Sequence, residues 1–273
     1  MENVKMCSLK EEFTTLRPFI TEELIARKLF CYSEEEIQEH EKRLNYRLPE
    51  PVRNVYMHMA DLFFSYFNML RPLYRLHWDG DYIAFFDLPE TSFTIGICRN
   101  DDPNTLYEWE EDVDEEEDDI LYDLETSEEN GDSIGLEKAL KEHYKYWEKE
   151  HRKGNLRKMD GPRYQSCLDG FCIFETLFII SYNAETMDTD NFYSFFSDCA
   201  ENDKKLREFF VPLSKTTELL KDENGNLIGY LSPKGDVVVY CSPWDTMFEL
   251  WSYKAIDPQL LEDLKNSADV DFE

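Results

Sequence analysis

The stretch SEEEIQEHEKRLNYRLPEP, residues 33–51, predicts a helix, a Leu-Pro corner and the start of a second helix. Ser33 and Glu36 have the S-x-x-E spacing of a capping box, in which each residue satisfies a free amide of the other. Pro49 disfavours the helical conformation of the residue before it, so the first helix ends ahead of the corner. Pro51 suits the first turn of a new helix, where its missing N–H has no partner to lose.

Segments with helical and with strand-like patterns alternate along the rest of the chain. Strands are predicted where apolar and aromatic runs flank turn residues, and helices where apolar residues recur every three or four positions. Helices are expected in 1–32, in 63–70, in the apolar segment 170–183 after a cap at Asp169, and from Asp257 onward. Strands are expected in a hairpin of 73–78 and 82–86 around Gly80, in 91–98 and 106–109, and in a meander around turns 222–226 and 232–236.

This order of elements predicts an α+β fold, a mainly antiparallel mixed sheet with helices packed on it. Residues 1–32 are interpreted as an N-terminal helical extension, 33–265 as a single α+β domain, and 266–273 as a tail. We expect an acidic insertion at 108–132, since its first twelve positions carry ten carboxylates. Residues 151–163 are interpreted as a basic loop; docking of this loop on the acidic run within the molecule would weaken the case for a basic partner.

The charge of the chain restricts its partners. The formal net charge is -30, whereas phosphate binding needs Lys and Arg to replace counterions, so nucleic acid is not expected as a partner. An anionic membrane surface is disfavoured for the same reason. A basic protein partner fits, and the alternative is that the acidity only maintains solubility.

No catalytic, metal or cofactor motif is found in the sequence. It has no G-x-S-x-G, Gly-rich phosphate loop or H-E-x-x-H pattern, and the Asp222 turn has Leu227 where a calcium loop requires Gly. We therefore expect no enzymatic activity, no cofactor and no bound metal. An odd count of seven Cys, without a signal peptide or an apolar span, favours the cytoplasm.

Three segments together resemble the SUKH superfamily, which contains bacterial immunity proteins and related yeast cell-wall regulators. Residues 34–49 are similar to its opening corner, 82–112 to its central strands and 168–181 to its long buried helix. The chain departs from the family where MHMADLFFSYF, 57–67, stays helical in place of an Asn-Gly turn. The resemblance implies a SUKH-like α+β domain that binds other proteins without catalysis.

The expected function is that of an immunity-type protein that binds and neutralises a basic toxin, possibly a nuclease. The alternative is a regulatory or scaffold protein of the cell-wall-regulator type with several protein partners; an enzyme with an unrecognised site is a third. Tyr107 and Trp109 are interpreted either as aromatic anchors for the partner or as strand-end aromatics on the core. The predicted partner-binding residues are Tyr107, Glu108, Trp109, Glu110, Glu111, Asp112, Asp114, Glu115, Glu116, Glu117, Asp118 and Asp119.

Overall fold

The computed structural model describes residues 9–89, 91–110, 155–187, 190–197, 200–213, 217–244 and 246–268. The α-helices are α1 (Lys10–Leu16), α2 (Glu22–Ile25), α3 (Glu34–Leu44), α4 (Glu50–His58), α5 (Ala60–Ser65), α6 (Arg163–Ser166), α7 (Leu168–Glu185), α8 (Ala200–Phe209) and α9 (Pro258–Ala268). The strands are β1 (Tyr82–Asp87), β2 (Phe93–Cys98), β3 (Tyr107–Glu110), β4 (Asn155–Lys158), β5 (Phe192–Phe196), β6 (Val211–Pro212), β7 (Gly229–Leu231), β8 (Val238–Cys241) and β9 (Met247–Trp251).

The opening corner has the predicted structure. Ser33 N–H donates to Glu36 Oε2 at 2.7 Å, and Ser33 Oγ accepts from Glu36 N–H at 3.3 Å, so the capping box is complete. Asn45 ends α3 in the left-handed region, with a φ of 48°. The Arg53 guanidinium then pairs with Glu34 and Glu41, which fixes α4 against α3.

Two antiparallel sheets are formed by the described strands, in the orders β1-β2-β3-β4 and β5-β9-β8-β7-β6. The α+β class is therefore confirmed, and so is the C-terminal meander. The strand predicted for residues 73–78 is wrong. This segment begins with a 3-10 turn, Leu73–Arg75, and the pairing with β1 is limited to a bridge between Asp79 and Tyr82. Pro72 at the start of that turn fixes a backbone angle that suits the turn.

Helix α7 lies at the centre of the fold, as its apolar sequence predicts. It contacts helices α2, α4 and α5 and also strands β5, β8 and β9. Alternate residues of the larger sheet face opposite ways: Val238 and Tyr240 belong to the main core with α7. Val239 and Phe248 belong to a second core that includes residues of α8 and α9.

The N-terminal segment packs into the main core. Phe13 and Leu16 are completely buried in the same cluster as residues of α7. Arg17 donates to Asp61 Oδ1 at 2.6 Å, and Asp61 is fully buried at the start of α5. An ion pair and shared apolar burial therefore join residues 9–25 to the helices of the 33–265 region.

Three local expectations are corrected. The helix predicted for 63–70 ends at Ser65, because Phe67 and Asn68 both adopt positive φ. Asp169 lies inside the first turn of α7, whose N-cap is Cys167, so Asp169 is not the cap. The described part of the predicted basic loop, 155–163, contains a strand, β4.

Candidate protein-binding site

Four of the predicted site residues lie on β3, between β2 and β4. Opposite Tyr107 are Gly96 on β2 and Lys158 on β4, and opposite Glu110 are Phe93 and Asn155. The Glu110 side chain is exposed at the end of the strand. The other predicted residues, Glu111, Asp112, Asp114, Glu115, Glu116, Glu117, Asp118 and Asp119, lie outside the described residues.

Glu108 is paired within the chain. Its Oε2 accepts from Arg157 Nε at 2.8 Å, and the two residues face each other across β3 and β4. The same Arg157 lies over the Phe93 ring, with 5.7 Å from its Cζ to the centroid. The docking of the basic segment on the acidic run is thus observed at this position, so Glu108 is not available to a partner unless Arg157 moves away.

Trp109 is a buried aromatic of the small sheet. It is 8% exposed and forms a cluster with Tyr82 and Ala84, with 5.2 Å between its ring centroid and that of Tyr82. Trp109 was interpreted either as an anchor for the partner or as a strand-end aromatic on the core, and its burial fits the second interpretation. An anchor that inserts into a partner would instead have to be exposed before binding.

Tyr107 is held by an acidic neighbour. Its hydroxyl donates a hydrogen bond to Asp101 Oδ2, in the loop after β2. That hydrogen bond raises the pKa of Tyr107 to about 12 and lowers the pKa of Asp101. The Tyr107 hydroxyl group stays protonated at neutral pH and orients the loop through this hydrogen bond. It is therefore already hydrogen-bonded within the chain.

A different surface exposes large aromatic side chains. Trp244 is 64% exposed, Phe67 57% and Tyr182 39%. We define the aromatic band as these three residues with Tyr66 and Phe178. It links the turn after α5, the outer face of α7 and the loop after β8.

The rings of the aromatic band contact one another in sequence. Centroid distances are 5.3 Å between Phe67 and Tyr66, 5.0 Å between Tyr66 and Tyr182, and 5.9 Å between Tyr66 and Phe178. Phe178 lies 6.5 Å from Trp244, at an interplanar angle of 89°. Edge-to-face contacts of this kind are favourable beyond the area that they bury, so the band is an ordered surface.

The turn that presents Phe67 is unusual. Phe67 and Asn68 have φ of 49° and 54°. Asn tolerates this left-handed region, whereas a bulky side chain there is an outlier that costs free energy. The fold therefore stabilises a strained turn whose effect is to display an aromatic ring.

A carboxylate lies beside the band on α7. Glu175 is three residues before Phe178 and seven before Tyr182, a spacing that places the three on one face of the helix. Burial of this partly exposed residue raises the pKa of Glu175 to about 8. Among the described residues no cation or hydrogen-bond donor pairs with its carboxyl group.

A polar cleft of about 400 Å³ lies elsewhere, between the loop after β2 and the start of α6. It is lined by groups of both signs, among them Asp102, Lys158 and Arg163. Cys167 also lines it, but burial raises the pKa of its thiol, which is opposite to the change that makes a cysteine reactive. These groups do not form a nucleophile and base pair.

The described residues contain no group of three or more His, Cys, Asp or Glu side chains arranged to hold a metal ion. Within the described ranges, no helix has the length and apolar character needed to cross a membrane.

Comparisons with known proteins give no match. No family model matches the chain, no curated protein is similar to it, and no solved structure matches its fold. The resemblance to the SUKH superfamily therefore stays a prediction.

The aromatic band is not predicted from the sequence. Residues 63–70 were interpreted as helical, and the segment 170–183 as a central, buried helix because it is apolar all round. One signal was present in the sequence: Glu175 interrupts an otherwise apolar helix. A charged residue inside such a segment indicates that one face of the helix reaches the surface.

Proposed function

We propose that this protein acts without catalysis, as an immunity-type inhibitor that binds and neutralises a basic toxin in the cytoplasm. The observation that supports this most is the exposed aromatic band. Large aromatic side chains carry much of the free energy of protein–protein binding, whereas they are seldom exposed together without a function. The partner would be a protein rather than a nucleic acid or a membrane.

The charge of the chain supplies the second support. A net charge of -30 attracts a basic surface, and such steering raises association rates by roughly 10 to 10³-fold. A nuclease toxin needs a basic surface to hold phosphate, so an acidic inhibitor competes for that surface. Protection of a cell requires a Kd on the order of nanomolar, about 12 kcal/mol, which exposed carboxylates alone do not provide.

The cysteines agree with a reducing compartment. Cys31, Cys98, Cys167, Cys172 and Cys241 are free thiols in the described part of the chain. Disulfides form and persist in oxidising compartments and are rare in the cytosol. The proposed place of action is therefore the cytoplasm, where an intracellular toxin would be met.

Co-expression tests the proposal. The protein is produced in cells together with the product of each gene that neighbours its own, and growth is measured. Rescue from one toxic product supports the proposal. If no neighbouring product is neutralised, or if several proteins co-purify without any protection, the inhibitor role is rejected in favour of a scaffold.

Association kinetics test the role of the acidic run. Changing the carboxylates of residues 110–119 to amides, with Glu108 left to pair with Arg157, should slow association with the toxin at low salt. Wild-type rates should fall steeply as salt rises, and the variant's rates should change less. Equal rates for both proteins at low salt would show that the run has no part in binding.

A further inference from the structure

The surface around Glu175 has the chemistry of a cation site. Glu175 is partly buried on α7, and the helical spacing places it on the face that carries Phe178 and Tyr182. Removing a carboxylate from water is unfavourable unless a positive group compensates for it. The described residues supply no such group at this place, and a cation from a partner would compensate for the charge.

The neighbouring aromatic rings favour the same kind of ligand. The faces of Trp, Tyr and Phe rings attract cations, with Trp the strongest of the three. Trp244 is the most exposed large apolar side chain of the described residues, and it stands against Phe178. Tyr66 and Tyr182 extend the aromatic surface along the helix.

We propose that the aromatic band and Glu175 form a docking site for an arginine side chain from a basic segment of the partner protein. The inference rests on the proposed function only in taking the partner to be a basic protein. A planar guanidinium can stack on an aromatic ring and at the same time donate hydrogen bonds to a carboxylate. The ammonium of lysine has no planar face to stack.

Charge disfavours the other occupants of this surface. A second copy of the chain would bring two molecules of net charge -30 together. An acidic peptide would offer no positive group to pair with Glu175. An anionic lipid surface is repelled for the same reason. A basic segment is the occupant whose charge complements both the site and the whole molecule.

Short model peptides test the site with the full chain. The probes are acetyl-Gly-Arg-Gly-amide and its citrulline and lysine analogues, titrated at low salt and at about pH 8.5, where Glu175 is mostly ionised, while the NMR signal of the Trp244 indole is followed. We expect saturable binding of the arginine peptide and weaker binding of the lysine peptide. The citrulline peptide keeps the shape but not the charge, so it should not bind; equal binding of citrulline and arginine would overturn the proposal.

Two substitutions locate the site. Glu175→Gln removes the charge while keeping the size, and should weaken arginine-peptide binding about tenfold, the loss expected for one charge-assisted hydrogen bond. Glu262→Gln removes an exposed charge on α9 and serves as its control. Trp244→Ala should weaken binding as well, and Tyr253→Ala, another exposed aromatic, should not. Unchanged affinity in Glu175→Gln would reject the site.

The outcomes separate this inference from the proposed function. If the chain neutralises a toxin but does not bind the arginine peptide, the docking site is wrong and the inhibitor role stands. If the peptide binds through Glu175 but no toxin is neutralised, the site stands and the inhibitor role is wrong. If the chain forms a dimer that Trp244→Ala dissociates, the surface serves self-association and the docking site is rejected.

Discussion

Asn104 and Asp169 bind each other twice, across 65 positions of the sequence. Asn104 Oδ1 accepts from the backbone N–H of Asp169 at 3.0 Å, and Asn104 Nδ2 donates to Asp169 Oδ2 at 3.3 Å. The Asn104 carbonyl oxygen also accepts from Leu168 N–H at 3.0 Å. A loop of the small sheet thus satisfies the first turn of α7, where helix amides have no intrahelical partner.

Replacing Asn104 should weaken the fold. In Asn104→Ala, one amide of α7 and the Asp169 carboxylate each lose a partner, so the free energy of unfolding should fall by about 1–2 kcal/mol. Urea unfolding followed by circular dichroism measures the change. Asn224→Ala is the control, since that exposed residue lies in a turn, and its midpoint should stay close to that of wild type. Equal midpoints for both variants would contradict the capping role.

The Asp169 carboxyl group should make stability depend on pH. Burial raises its pKa to about 6, although Arg163 and Asn104 oppose the change. The unfolded chain releases this proton at about pH 4, so between pH 4 and 6 the folded state binds more protons. Its contribution to stability is therefore present below pH 4 and is lost as the pH rises to 6.

Asp169→Asn removes that dependence. Asparagine can still accept from Asn104, and it has no charge to desolvate. The variant should be more stable than wild type at pH 7.5 by about 1–3 kcal/mol, and the two should converge near pH 4. Urea midpoints across this range measure the difference. A difference that does not change with pH would show that the group is not responsible.

The capping box at the start of α3 gives a third prediction. Ser33→Ala removes the acceptor for the Glu36 amide and should lower the free energy of unfolding by about 1 kcal/mol. Ser267→Ala is the matched control, since its hydroxyl only donates to the Asp263 carbonyl on an exposed face of α9. Thermal unfolding of the two variants should therefore differ. A loss as large in Ser267→Ala would show that the cap has no special importance.

Local signals in the sequence predicted the elements whose causes are themselves local. The capping box, the Leu-Pro corner, the apolar helix α7 and the Pro258 start of α9 depend on residues only a few positions apart. The hydrogen bonds that satisfy the first turn of α7 could not be predicted in this way. They come from Asn104, which only the tertiary fold brings to that helix.

Exposure was the property of the site that the sequence did not reveal. An aromatic run has the same pattern in a core and on a surface, so Trp109 was a candidate anchor and is buried, whereas Trp244 was not and is exposed. Which face of a central helix remains uncovered depends on where the neighbouring elements end. Here α5 ends early, because Phe67 turns the chain aside with a positive φ.

The Glu175 carboxyl group should reduce stability in the wild-type protein. Its pKa is raised to about 8 by desolvation, whereas a glutamate in the unfolded chain titrates near pH 4.3. The folded state therefore retains a proton over this interval that the unfolded state releases, so stability falls as the pH rises from about 4 to 8.

Glu175→Gln should separate folding from binding. The variant has no carboxyl group to desolvate, so its stability relative to wild type should grow with pH and reach about 1–3 kcal/mol at pH 8. Asp169 titrates in both proteins, and the difference between them therefore isolates Glu175.

Urea unfolding at pH 5, 6, 7 and 8 measures this difference in stability, with the exposed Glu262→Gln as the variant that should follow wild type. Parallel curves for Glu175→Gln and wild type would contradict the desolvation. A gain in stability together with a loss of arginine-peptide binding would show that this carboxylate serves binding rather than folding.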